Sequence, residues 1–102
     1  MNLKKEEALN LGIQVMSDIN FNYDKNAEIS IRYLEKGKYY DFNCWLLGFP
    51  YGLEDFDRYV YGSLVIDDDL KIVKENISIR NGSIALGYDE ETGKYFIKEK
   101  RP

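Results

Sequence analysis

After Asn26 the chain never returns to a helical period, and this restricts its fold more than any other feature. Ala27, Ile29, Ile31 and Tyr33 alternate with Glu28, Ser30 and Arg32, the period of two expected of a half-buried strand. Glu35-Lys36-Gly37-Lys38 reads as a hairpin turn into a second, antiparallel strand from Tyr39 to Leu47. In that strand Tyr40, Phe42, Cys44 and Leu46 share one face, and Tyr39, Asp41, Asn43 and Trp45 the other. Gly48 to Asp57 is the least regular stretch. A third strand is expected from about Arg58 to Ile66, then a turn at Asp67-Asp68-Asp69 and a short fourth strand through Leu70, Ile72 and Val73. Ile77 and Ile79 lead into Asn81-Gly82, and Ile84 and Leu86 lead out, the strongest short hairpin signal in the chain. Asp89-Glu90-Glu91-Thr92-Gly93 turns Tyr88 into a last strand through Tyr95, Phe96 and Ile97, after which Lys98 to Pro102 should fray.

The residues before Asn26 follow a different rule. Ala8, Leu9, Leu11, Ile13, Val15, Met16 and Ile19 predict a helix over Leu3 to Ile19, with Asn10, Gln14 and Ser17 on its wet side. Asn2 is placed to cap it, and Glu6 and Glu7 suit the positive end of the helix dipole. The apolar arc is wider than one stripe, so the helix needs a concave receiver. One N-terminal helix packed on an antiparallel meander sheet of five to seven strands is an α+β fold. At 102 residues it forms a single domain over 1–102.

Composition removes several functions. The chain has no histidine and one cysteine, so the commonest proton shuttle, nucleophilic dyads and zinc sites are missing. We therefore expect no enzyme and no cofactor. The net charge of −4 repels phosphate backbones, which argues against nucleic acid as a partner. Acids follow Lys4 and Lys5 at once, unlike a signal peptide, and no run approaches the ~18 apolar residues that cross a bilayer. No membrane association and a cytoplasmic location are expected. Cys44, without a partner for a disulfide, reads as a buried and inert thiol.

Three motifs have bland explanations. Asp67, Asp68 and Asp69 are consecutive, whereas a calcium loop alternates its ligands, so a solvated turn is expected and no metal. Thr92-Gly93-Lys94 lacks the glycine spacing and following helix of a phosphate loop, and a hairpin turn accounts for it. Asp41, Glu54, Asp55 and Asp57 could supply a glycosidase-type pair, but a chain this short has little room for a sugar cleft. The stretch Phe49 to Asp57 is different. Phe49, Tyr51, Leu53 and Phe56 lie among Glu54, Asp55 and Asp57, more aromatic than a connector requires. Rings supply binding hot spots, and acids steer cationic partners. The alternative is that Phe49 and Phe56 plug the core, and both can hold.

An N-terminal helix followed by a tyrosine-rich meander closes on an apolar strand, Gly82 onward, with Asp89…Thr92-Gly93-Lys94 and the aromatic run to Ile97. In this plan the chain resembles the immunity proteins that bacteria carry beside polymorphic or contact-dependent growth-inhibition toxins; PepSY-type domains end similarly. The resemblance implies an inhibitor that binds a cognate, basic, nuclease-type toxin and masks its active site. Such families share no catalytic signature, so no site residue carries over. The expected contact face combines Tyr51, Glu54, Asp55 and Asp57 with the turn Asp67, Asp68 and Asp69. The second reading is a small-ligand or regulatory domain of nuclear-transport-factor-like or PepSY-like type, with a pocket beneath the helix lined by Tyr40, Trp45 and Tyr61.

Overall fold

A computed structural model describes residues 2–37, 39–53, 59–80 and 82–101. Among the described residues one helix, α1 (Lys5–Asp18), precedes six strands: β1 (Ser30–Leu34), β2 (Cys44–Leu53), β3 (Tyr59–Asp67), β4 (Ile72–Ile79), β5 (Gly82–Asp89) and β6 (Lys94–Arg101). The strands form one antiparallel sheet in chain order, open between β1 and β6. The α+β meander is as the periodicities predict, because each short turn returns the chain beside the strand it has just left.

The alternation decides which residues enter the core. Trp45, Leu47 and Phe49 of β2 pair with Ile66, Leu64 and Gly62 of β3, and Ile77, Ile84 and Leu86 continue the same face across β4 and β5. Ala8, Val15 and Met16 of α1 press onto this face and are fully buried. Each large side chain so buried contributes roughly 1.5–3 kcal/mol. Gly12 sets how closely the helix approaches: a β-carbon there would collide with Leu47 and lie 3.2 Å from the Phe49 ring. The far end of the helix reaches β6, where the Asp18 carboxylate accepts the Tyr95 N–H at 3.1 Å.

Several boundaries differ from expectation, each for a local reason. The helix starts at Lys5, and Glu7 reaches back to the Lys4 N–H at 2.8 Å; Lys4 holds the cap position, and Asn2, two residues outside it, gives its N–H to Asp68. Residues 39–43 are not strand: Gly37 donates to the Tyr40 carbonyl and Lys36 to the Asn43 side chain, which bends the chain before Cys44. Phe49 to Leu53, expected to be irregular, belong to β2. Pro50 is accommodated because the register shifts between Pro50 and Gly52, and its carbonyl accepts the Asp24 N–H. Lys98 to Arg101 do not fray: Glu99, Lys100 and Arg101 pair with β5, and Lys98 falls at the register shift. At the last turn Gly93 adopts φ +70° and donates to the Asp89 carbonyl, so the Thr-Gly-Lys run is a hairpin.

The tight seat of α1 yields a stability prediction. Gly12→Val should destabilise the fold by about 1–3 kcal/mol through overpacking against Leu47 and Phe49, read as a lower denaturation midpoint in urea. An unchanged midpoint would show that the helix can lift from the sheet without cost.

Candidate functional site at the acidic end of the sheet

The aspartate triplet is not a solvated turn. Asp67 and Asp68 are 3% and 1% exposed, and only Asp69 faces water. Each of the three does something different. One oxygen of Asp67 accepts the N–H groups of Asp69 and Leu70 at 2.9 and 3.0 Å, folding the turn, while the other lies 3.8 Å from Lys74 Nζ. Lys71 completes the reversal with φ +57°. Asp69 accepts from the backbone N–H and side-chain amide of Asn43 at 3.3 and 3.0 Å, which ties the turn to the bend before β2.

Asp68 makes the most consequential contacts. One oxygen receives the Leu3 N–H at 2.8 Å and the Trp45 indole N–H at 3.1 Å; the other receives the Asn2 N–H at 2.7 Å. Burial alone pushes this carboxyl upward, but the Asn2 and Leu3 N–H groups and the Trp45 indole pull it back, and the balance lies below the ordinary aspartate value. Trp45 in turn meets Tyr33 edge to face at 5.1 Å. The Tyr33 phenol is pushed up by burial and further by Asp68, Asp69 and Glu35, so negative charge converges on it. Cys44 opens β2 at the same end; it is fully buried, and burial together with Asp67 and Asp68 raises its thiol.

The sequence-predicted face is therefore split. Tyr51 lies seven residues along β2 from Cys44, about 23 Å away in an extended strand. There its ring meets Phe21 edge to face and its hydroxyl accepts the Arg80 N–H at 3.2 Å. Glu54, Asp55 and Asp57 lie outside the described residues. Of the triplet, Asp67 and Asp68 turn inward because their oxygens satisfy the turn and the N-terminal segment. What the sequence reading missed is the pairing of Asp68 with Trp45 and of Asp69 with Asn43, for which no local pattern exists. Glu35 and Asp41 are the exposed acids of the adjoining connection. The pocket expected beneath the helix is not assembled either. Trp45 is in the core, Tyr40 packs on Phe42, and Tyr61 stands 42% exposed beside Gly48 on the opposite face of the sheet. Among the described residues no three His, Cys, Asp or Glu side chains are grouped to hold a metal, and no helix is long and apolar enough to cross a membrane.

Removing Asp68 tests this network. Asp68→Ala strands the buried Leu3 and Trp45 N–H groups and the part-buried Asn2 N–H, and should cost about 3–5 kcal/mol in urea unfolding at pH 7, with Asp68→Asn intermediate. Because the folded carboxyl titrates below its unfolded value, its contribution is complete above pH ~4 and fades as the pH falls through the folded value. The difference between the native chain and Asp68→Asn should therefore shrink on acidification below pH ~4; a gap independent of pH from 7 to 3 would contradict the assignment. Cys44 should react with a thiol reagent only as fast as the protein unfolds, and prompt labelling of the native state would show it accessible.

No family model, curated protein or solved structure matches this chain.

Proposed function

We propose that the protein is an immunity-type inhibitor that binds a basic, nuclease-type toxin in the cytoplasm and neutralises it by masking the active site, with no chemistry of its own. The observation that carries this reading is the concentration of Glu35, Asp68 and Asp69 around Tyr33 at one end of the sheet, with Asp67 in the same turn. Among the described residues Lys74 is the one cation within ion-pair distance of any of them, and it is drawn over the Phe42 ring at 4.4 Å. The hydrogen bonds that Asp67 and Asp68 accept come from neutral N–H groups, which leave the carboxylates ionised. The end therefore projects a negative field through Glu35, Asp41 and Asp69. A nuclease must carry positive charge to hold phosphates, so such a field accelerates its encounter with the inhibitor.

The contact face in this proposal keeps Asp69 from the sequence-predicted set and adds Glu35 and Asp41. Asp67 and Asp68 act behind it as a fixed source of charge. Tyr51, with Glu54, Asp55 and Asp57, constitutes a second stretch that the same experiment separates. The partner to use is the purified product of the adjacent gene, mixed by stopped flow at low and high salt. Glu35→Lys with Asp41→Lys should slow association about tenfold at low salt and flatten the salt dependence. Asp69 is left intact because it anchors Asn43. Reversal of Glu54, Asp55 and Asp57 to lysine measures the other stretch. A complex whose association ignores salt and all five reversals, or purified chain that turns over a substrate, would overturn the reading.

A further inference from the structure

The two edges of the sheet are defended differently. β6 carries Lys94, Lys98, Lys100 and Arg101, all exposed, and its register against β5 breaks between Ala85 and Leu86. Charges and irregularity of this kind keep a free edge from recruiting another strand. β1 has neither. Ser30-Ile31-Arg32-Tyr33-Leu34 contains no proline, glycine or lysine, keeps an unbroken register with β2, and carries one charge, at its centre. No other described segment pairs with its outer side.

The sheet face beside this edge is shaped. Opposite the helix, a shallow groove of about 400 Å³ runs between Ser30, Arg32, Leu46, Gly48, Tyr61 and Ser63. Gly48 keeps it open: a β-carbon there would come within 3.2 Å of the Tyr61 ring and 3.4 Å of the Ser30 side chain. Arg32 stands exposed at the rim, and among the described residues no carboxylate lies within ion-pair distance of it. In a chain with eighteen acids, a guanidinium left without a carboxylate on the unguarded edge is set for one from outside.

We propose that the free edge of β1 is a docking site for an extended segment of a partner polypeptide, which adds to the sheet as a further strand and places an Asp or Glu opposite Arg32. The backbone ladder supplies affinity, the groove receives side chains on the outward face, and the guanidinium takes the carboxylate through its paired N–H groups. Charge also decides against a second copy as the occupant. An antiparallel self-pairing that overlaps all five residues sets Arg32 against Arg32, and like charges directly opposed destabilise a ladder. The site adjoins the acidic end but rests on other groups, the β1 backbone and Arg32, so its failure would leave the inhibitor reading standing.

The test is an NMR titration of the isotope-labelled full chain with two capped peptides, Thr-Val-Glu-Val-Thr and Thr-Val-Lys-Val-Thr. The glutamate peptide should shift the amides of residues 30–34 and bind about tenfold more tightly than the lysine peptide, with β6 amides unmoved. In Arg32→Glu, an exposed change whose fold is checked by circular dichroism, the preference should reverse. Equal response to both peptides, no response at residues 30–34, or a preference that survives Arg32→Glu would overturn the proposal. So would concentration-dependent shifts of β1 without peptide, which would make the occupant a second copy.

Discussion

The Asp68 carboxylate is taken out of water and met by three N–H donors, and the geometry of three separate chain segments follows from this. Removing an ion from water costs several kcal/mol, so a buried carboxylate persists only where donors meet its oxygens well. Here the donors are the backbone of Asn2 and Leu3 and the indole of Trp45. Asn2 and Leu3 lead into α1, Trp45 stands on the core side of β2, and Asp68 directly follows β3. One side chain thus sets where the helix begins, seats Leu3 against the core and holds the end of the sheet. An asparagine would offer one oxygen and turn its amide toward further donors. Only an acceptor with two oxygens fits all three.

Because α1 is the only helix among the described residues, the sheet is covered on one side. The covered face is filled by Trp45, Leu47, Phe49, Leu64, Ile66 and Ile77. The other face is built of smaller and more polar positions, with Ser30, Ser63, Ser78 and Ser83 spread over four strands in mutual register. Where an apolar side chain is used there, a glycine makes room for it: Tyr61 lies over Gly48, and Phe96 roofs Gly87. A face of this kind tolerates water and remains available for contact. The core, by contrast, leaves no buried side-chain donor or acceptor unsatisfied among the described residues.

The fold was legible because its signals are periodic and local. A period of two between turn residues specifies strands, and short turns specify a meander, so class, order and most strand centres could be read directly. The errors arose where a side chain competes with the ladder for backbone partners. Asn43 captures the Lys36 N–H and is itself held by Asp69, which removes residues 39–43 from the strand their alternation suggests. Pro50 argued for a loop, yet a register shift and the Asp24 N–H let β2 pass through it. The candidate site was legible only as composition. Asp68 meets Leu3 and Trp45 across 65 and 23 positions of sequence, and no spacing rule reaches that far.

The acidic end and the unguarded edge adjoin. Glu35 follows Leu34, the last residue of β1, and stands three residues beyond Arg32, roughly 10 Å along an extended chain. A strand added antiparallel to β1 therefore meets a cation at its centre and anions just past one end. The sequence that suits both is neither acidic nor basic throughout. It carries a carboxylate opposite Arg32 and, about three residues earlier in its own direction, a lysine or arginine facing Glu35 and the field behind it. Reversing the order of those two charges puts like against like at both positions. Discrimination between partners of equal net charge then comes from the order of charges along one short segment, which a featureless acidic surface cannot read.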